Sequence, residues 1–197
     1  VKGVWHAAGV LSDGLLPRQS AETLARVYAP KTHGGWALHD ASLAMPLRAC
    51  TLFSSVAALL GGAGQANYCA ANMCLDVLGA HRRAHAAAAV SVQWGAWSDM
   101  GMAARGAASE RMAKMEAASG FGRIGLAQGL SAMEAAVRLS GPAGLGVMPV
   151  TWSRMLGDGS TAPGFLSGMV TRSTRVRAAP TAAASVACGI TLDGVLE

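Results

Sequence analysis

The 197 residues include few aromatics (5%), few charges (14%) and only four cysteines, none in a C-x-x-C pair. Each shortage excludes something. Cys50, Cys69, Cys74 and Cys188 lack metal-ligand spacing with the five histidines, so no metal site is expected, and they read as reduced thiols of a cytoplasmic protein. The longest uncharged stretch, residues 49–75, is long enough in principle to cross a bilayer. It is broken by Gly61, Gly62, Gly64, Gln65, Asn67 and Asn72, so no membrane span is expected. No charged leader precedes an apolar run, and the first residues already have strand character, so the chain reads as cut from something longer. The net charge is +5, and the excess lies in residues 1–157, with 13 Lys and Arg against 8 Asp and Glu. These basic residues are scattered without aromatic interleaving, which argues against nucleic acid. They form a mildly basic solvated face, or they attract an acidic partner such as a phosphate-bearing cofactor or an acidic carrier.

Apolar residues make up 52% of the chain, enough for a substantial core in one globular unit. Val1 to Trp5 reads as a strand entering the small-residue turn His6-Ala7-Ala8-Gly9. A helical pattern begins at Ser20 and is interrupted by Pro30 and Gly34-Gly35, which predicts a long, bent helix over about 20–44. Residues 47–55 are apolar almost without alternation, as in a strand buried on both faces of a parallel sheet. An alanine-rich helix from Gln65 to Arg83, a strand over 88–94, a helix over 126–139 and a strand over 145–150 follow. This alternation is that of an α/β, Rossmann-type, doubly wound parallel sheet. The methionine-rich residues 98–125 read as an inserted mobile lid. Residues 158–189 read as a flexible linker, and 190–197 recover apolar spacing, as at the opening of a further domain.

One stretch carries chemistry. A strand ends at Ser54-Ser55, Tyr68 follows Ser55 by thirteen residues, and Asn72 follows Tyr68 by four, on the same helix face. A lone tyrosine in an alanine-rich helix needs a partner for its hydroxyl, and two readings stand: a phenol satisfied by a backbone carbonyl, or one acting on a ligand.

With HAAGVLSDG at the start, YAPKTHGGWALHD before the strand and VQWGAW after the helix, this pattern resembles the ketoreductase domain of modular polyketide synthases and animal-type fatty acid synthases, members of the short-chain dehydrogenase/reductase superfamily. The resemblance covers about residues 1–156. It implies NADPH-dependent reduction of a β-ketoacyl thioester, borne on the phosphopantetheine of an acyl carrier protein, to a β-hydroxyacyl thioester. It further implies that Tyr68 gives the ketone its proton, Ser55 holds the ketone oxygen, Lys31 stands beside them and Asn72 orders a proton-relay water. A ketone that accepts hydride becomes an alkoxide, so a donor placed where charge develops and a proton source are what the chemistry needs. An ammonium beside the phenol is expected to lower its pKa. Most of the superfamily carries the lysine four residues after the tyrosine; here Asn72 stands there and Lys31 lies 37 residues upstream, the exchanged arrangement of the polyketide enzymes.

By the same resemblance, Ala8 and Gly9 lie against the adenosine side of the cofactor, Gly95 and Trp97 flank its nicotinamide, and Asp13, Leu60 and Gln65 bear on substrate and stereocontrol. Leu11-Ser12-Asp13 keeps the last residue of the Leu-Asp-Asp signature of B-type reductases, and Leu60 replaces the tryptophan of A-type reductases, so a D-hydroxy product is expected. No G-x-G-x-x-G follows an early strand, so the fold is expected to be truncated on its N-terminal side, with residues 1–157 as the catalytic half of a ketoreductase whose N-terminal half and other synthase domains are its partners. On its own this half is expected to bind NADPH poorly and to be inactive. Two other readings stay open: a structural or non-reducing (scaffolding or epimerising) subdomain without its cofactor-binding half, and a stand-alone small-molecule dehydrogenase.

Overall fold

The structure is a computed structural model that describes residues 1–98, 116, 119–138, 141–157, 162–170 and 190–191. The described residues group into two compact units, one from residues 1–95, 127–147 and the last strand, the other from residues within 96–126 and 148–188.

In the first unit, β1 (Gly3–His6) leads through a loop and a single 3-10 turn (Leu16–Arg18) to α1 (Ala21–Tyr28). Ser20 starts α1 as a capping box: its Oγ accepts from Thr23 N (3.3 Å) while its own N–H donates to Thr23 Oγ1 (2.8 Å). The bent helix expected from the sequence is two α-helical pieces joined by a π-helical turn (Ala29–His33), with α2 (Gly34–Ala41) beyond it. The break has a local cause, because Pro30 has no N–H to donate and Gly34 N–H reaches back five residues to Ala29 O. The apolar run forms β2 (Ala49–Ser55), followed by the short α3 (Ala57–Leu60), the long α4 (Ala66–Ala84) and β3 (Val90–Trp94). Next come α5 (Leu126–Ala136) and β4 (Gly144–Val147), which ends two residues before Pro149.

The strands lie in the order β1-β2-β3-β4, all parallel, and α1, the π turn and α2 pack with α4, which lies on β2 and β3. Ile190–Thr191, which the sequence places at the opening of a further domain, pair antiparallel with β4 as β5. β3 is buried along its whole length, its polar Ser91 and Gln93 included. α4 covers β2 and β3: Leu75 and Leu78 pack on Cys50, Leu52 and Ala89, while Tyr68 and Ala71 join Val27 and Ala57. Gly35 allows α2 to approach α4, since a Cβ there would lie 2.9 Å from Leu75 Cδ2.

The second unit is held by two isolated bridges, Trp97 with Ile124 and Phe121 with Val150, and by an ion pair between Arg123 and Glu116 at 2.5 Å. It includes α6 (Trp152–Leu156) and a 3-10 helix (Gly164–Met169) whose Leu166 is buried, inside the stretch read from sequence as linker. Most of the expected lid and the remainder of the expected linker lie outside the described residues. Among the described residues no helix is long and apolar enough to cross a membrane, and no cluster of three or more His, Cys, Asp or Glu could hold a metal.

Candidate active site

Parallel α/β sheets bind ligands beyond the carboxyl ends of their strands. In this sheet the end of β2 holds Ser54 and Ser55, and the first turn of α4 holds Tyr68. Asn67 fixes that turn: its Oδ1 accepts from Tyr68 N (2.8 Å), and its Nδ2 donates to Ser12 O (2.9 Å), tying the Leu11–Asp13 loop to the helix start. Gly14 N donates to Gly64 O at 2.8 Å, and Gln65 Nε2 lies 3.3 Å from both Asp13 carboxylate oxygens. Asp13 and Gln65, both expected at the substrate end, thus form one clamp beside Tyr68.

Asn72 is wholly buried one turn below. Its Nδ2 donates to Tyr68 O (2.8 Å), and its Oδ1 has no partner among the described residues. A buried amide oxygen without a partner costs about 1–3 kcal/mol and is a site for a donor to bind. Ser55 is half-buried, and its Oγ accepts from Ala57 N at 3.2 Å, which holds the hydroxyl at the strand end.

Lys31 enters from the π turn. It is 3% exposed, unusual for a lysine, and its Nζ donates to Phe53 O (2.9 Å) and lies 5.3 Å from the Tyr68 ring centroid. Gly9 makes room for it, since a Cβ there would sit 3.0 Å from Lys31 Cε. Beneath it, His6 Nε2 donates to the Lys31 backbone carbonyl (3.0 Å), holding the turn that aims the side chain. Burial pushes the Lys31 pKa down to about 8, against an opposing pull from Asp76.

The structure therefore brings Lys31, Ser55, Tyr68 and Asn72 together. It differs from the sequence reading on one point of electrostatics. The Tyr68 pKa is raised, because burial outweighs the hydrogen bonding of Ser55 and Asn72 that favours the phenolate. The expected ammonium effect is not among the causes of the shift; the Lys31 ammonium is bonded to Phe53 O and stands 5.3 Å from the ring centroid. Of the other expected residues, Leu60 is half-buried at the end of α3, Ala8 is exposed, and Gly95 is held by its N–H to Val147 O (2.8 Å). Trp97 belongs to the second unit. Reasoning from sequence missed Asn67, the grip of His6 on the Lys31 carbonyl, and Asp76. Asp76 was findable, since it continues the Tyr68, Asn72 stripe at the next four-residue step.

The donor set bears on whether NADPH fits. Lys31 spends one of three N–H donors on Phe53 O, and the Tyr68 and Ser55 hydroxyls lie at the same strand end, which suits the ribose and nicotinamide end of a dinucleotide. The diphosphate end is different. The chain after β1 passes through a loop and a 3-10 turn before α1, and no glycine-rich turn opens directly into a helix there.

The KR domain family model matches residues 1–99. Over 138 residues the chain is 44% identical to the phthioceranic/hydroxyphthioceranic acid synthase of Mycobacterium tuberculosis, a match covering 70% of this chain and 6% of that one. Over 99 residues it is 48% identical to polyketide synthase GfsA of Streptomyces halstedii, covering 50% of this chain and 1% of that protein. Among solved structures, the ketoreductase from the first module of phoslactomycin biosynthesis in Streptomyces sp. HK803 superposes with a TM-score of 0.70 at 38% identity, covering 79% of this chain and 35% of that one. The first ketoreductase of the tylosin synthase gives 0.69 at 34%, covering 78% and 33%. The chain thus spans a small part of the curated relatives and about a third of the solved ketoreductases. With the sheet, the exchanged lysine and asparagine, and these matches in agreement, the chain belongs to the KR family, the ketoreductase domains of modular polyketide synthases within the short-chain dehydrogenase/reductase superfamily.

Proposed function

We propose that this chain is the catalytic half of a cytoplasmic ketoreductase that reduces a β-ketoacyl thioester, presented on the phosphopantetheine of an acyl carrier protein, to a β-hydroxyacyl thioester. The observation that carries the reading is the convergence of Tyr68, Ser55, Asn72 and Lys31 at the end of β2 and the start of α4. NADPH, when bound, supplies the hydride. Ser55 and Tyr68 donate to the ketone oxygen, and Tyr68 gives up its proton as negative charge develops there. A phenol held above its ordinary pKa stays protonated at neutral pH, which suits a donor. Lys31 holds its ammonium over the Tyr68 ring, 5.3 Å from the centroid, while Ser55 and Asn72 are the groups whose hydrogen bonds favour the phenolate left behind. Asn72 Oδ1 offers a buried acceptor for the donor that returns the proton. Ala8 and Gly9 after β1, with Gly95, are the residues of the first unit that would hold the cofactor. The glycine-rich phosphate turn would come from the N-terminal half of the same domain.

Asp13, clamped by Gln65 next to Tyr68, supports a B-type, D-hydroxy outcome, with Leu60 at the A-type position. The basic excess suits an acidic carrier protein. The test is Tyr68→Phe in the intact polypeptide, with a β-ketoacyl thioester surrogate, NADPH oxidation and chiral analysis of the alcohol. Losing the positioned acid is expected to cost about 10²–10⁴-fold. Activity within a few-fold of the unsubstituted protein overturns the assignment, and a mainly L alcohol overturns the stereochemical part.

A further inference from the structure

Asp76 follows Asn72 by four residues and Tyr68 by eight, on one stripe of α4 facing the sheet. Its Oδ1 accepts from Ser91 Oγ (2.5 Å) and its Oδ2 from Gln93 Nε2 (2.8 Å). Ser91 and Gln93 are two apart on β3 and share a face, and Gln93 is in register with Ser54 of β2, whose Oγ donates to Asn72 O (3.3 Å). All four partners are buried, so a polar layer lies where a helix on a sheet ordinarily packs apolar side chains. Lys31 is buried too, yet among the described residues no carboxylate lies within 4 Å of its ammonium. His6 from β1 meets the Lys31 backbone carbonyl, and Tyr68 from α4 presents its ring. Lys31 Nζ itself is bound to Phe53 O, one residue before the Ser54 that hydrogen-bonds Asp76, so the ammonium and the Asp76 layer meet at the same stretch of β2, and Asp76 is the one acid whose charge acts on Lys31.

We propose that Asp76 is a positioning residue of the reduction site: it supplies the counter-charge that keeps buried Lys31 an ammonium, and it pins the Tyr68, Asn72 stripe to β2 and β3. This rests on the placing of Lys31 in that site. Burial pulls the Lys31 pKa down to about 8 while Asp76 pulls it up, so the group stands close to neutral pH, where a modest loss of counter-charge removes its proton. The relation is mutual: burial raises the Asp76 pKa, and Ser91, Gln93, Ser54 and Lys31 hold it down.

Asp76→Asn removes the charge and keeps the shape, because Gln93 can turn its unpartnered Oε1 toward the new amide nitrogen. The chain has three lysines, Lys2, Lys31 and Lys114, so the 13Cε signals of the full 197-residue chain can be titrated by NMR, with Lys31→Arg identifying the Lys31 signal. Asp76→Asn is expected to lower the Lys31 midpoint by about one pH unit or more. Asp76→Glu should return it toward the original value, and Ser91→Ala, which loses a hydrogen bond but keeps the charge, should leave it in place. In the intact polypeptide the alkaline limb of ketoreduction should move down with the midpoint. A folded Asp76→Asn chain whose midpoint stays within about 0.3 unit overturns the proposal, since the expected shift for a close counter-charge is larger. The unsubstituted chain offers a check independent of folding defects: Lys31 must show a second, smaller inflection where Asp76 titrates, and a single-step curve overturns the coupling. A shifted midpoint in a polypeptide that reduces no thioester supports the coupling and overturns the reductase reading.

Discussion

Lys31 lets the cost of this site be measured. In the fold its pKa is about 8, against an ordinary 10.5. At about 1.4 kcal/mol per unit, the difference corresponds to about 3 kcal/mol of lost stability wherever both states are protonated. Below pH 8 that cost is present in full. Between about 8 and 10.5 the unfolded chain holds a proton that the folded chain has released, so stability rises with pH across this window. Above it, both states are neutral and the cost is gone. Lys31→Met removes the titration and keeps most of the volume. The difference in unfolding free energy, unsubstituted minus Lys31→Met, is therefore expected to rise by about 2 kcal/mol from pH 7.5 to pH 10, most of it above pH 8. Tyrosines and other alkaline groups titrate in both proteins and largely cancel. The variant also leaves Phe53 O without its donor, which shifts the difference by a constant of about 1–3 kcal/mol and leaves its slope unchanged. Urea unfolding at four or five pH values measures it. A difference that stays flat within about 0.5 kcal/mol over this range would falsify the depressed pKa, and with it the claim that burial dominates the electrostatics of this lysine.

Gly9→Ala brings a Cβ to 3.0 Å from Lys31 Cε, so it is expected to cut ketoreduction at least tenfold while costing about 1 kcal/mol or less in urea unfolding, the side chain being able to shift. Asn67→Ala frees the loop that carries Ser12 and Asp13; chiral analysis of the alcohol should show a loss of stereochemical purity larger than the loss of rate. Ser20→Ala removes the capping box of α1 and should cost about 1 kcal/mol by urea unfolding, with ketoreduction kinetics unchanged at neutral pH.

β2 was legible because residues 47–55 are apolar almost without alternation, and β3 because residues 88–94 are rich in strand formers; they became Ala49–Ser55 and Val90–Trp94. α4 matched its expected 65–83 closely, with alanine through its interior and Gly64 before it. The bend near Pro30 was legible, but its form was not. Proline marks where a helix loses a bond, while the choice between a kink and a π turn depends on packing from Gly35, Leu75 and the ring of His6. β4 was read through Val150, but its pairing with β3 ends at Trp94 and Val147, and Pro149 and Val150 pair instead with Gly122 and Phe121. For the site, spacing identified Tyr68, Ser55 and Asn72, whereas the direction of the Tyr68 pKa shift was out of reach. It depends on how deeply the ring is buried against the hydrogen bonding of Ser55 and Asn72, which residue spacing does not contain.

The π turn reconciles two demands that a regular helix would set against each other. Val27, Lys31 and Gly35 are four residues apart, and all three are buried. In a regular α-helix, residues four apart drift by about 40° around the axis, so Val27 and Gly35 would differ by about 80° and one would leave the core. The wider turn takes up that drift between Ala29 and Gly34, which keeps Val27 against Tyr68 and Ala71 and Gly35 against Leu75. It also loosens the carbonyls of the turn, and His6 takes up the one belonging to Lys31. A lysine on such a segment reaches Phe53 O at the end of β2, while the position four residues after the tyrosine holds Asn72, wholly buried. In this chain the two positions are thus served by two backbones: α4 packs on the sheet with Asn72 and Asp76 in its stripe, and the π turn carries Lys31 to the end of β2.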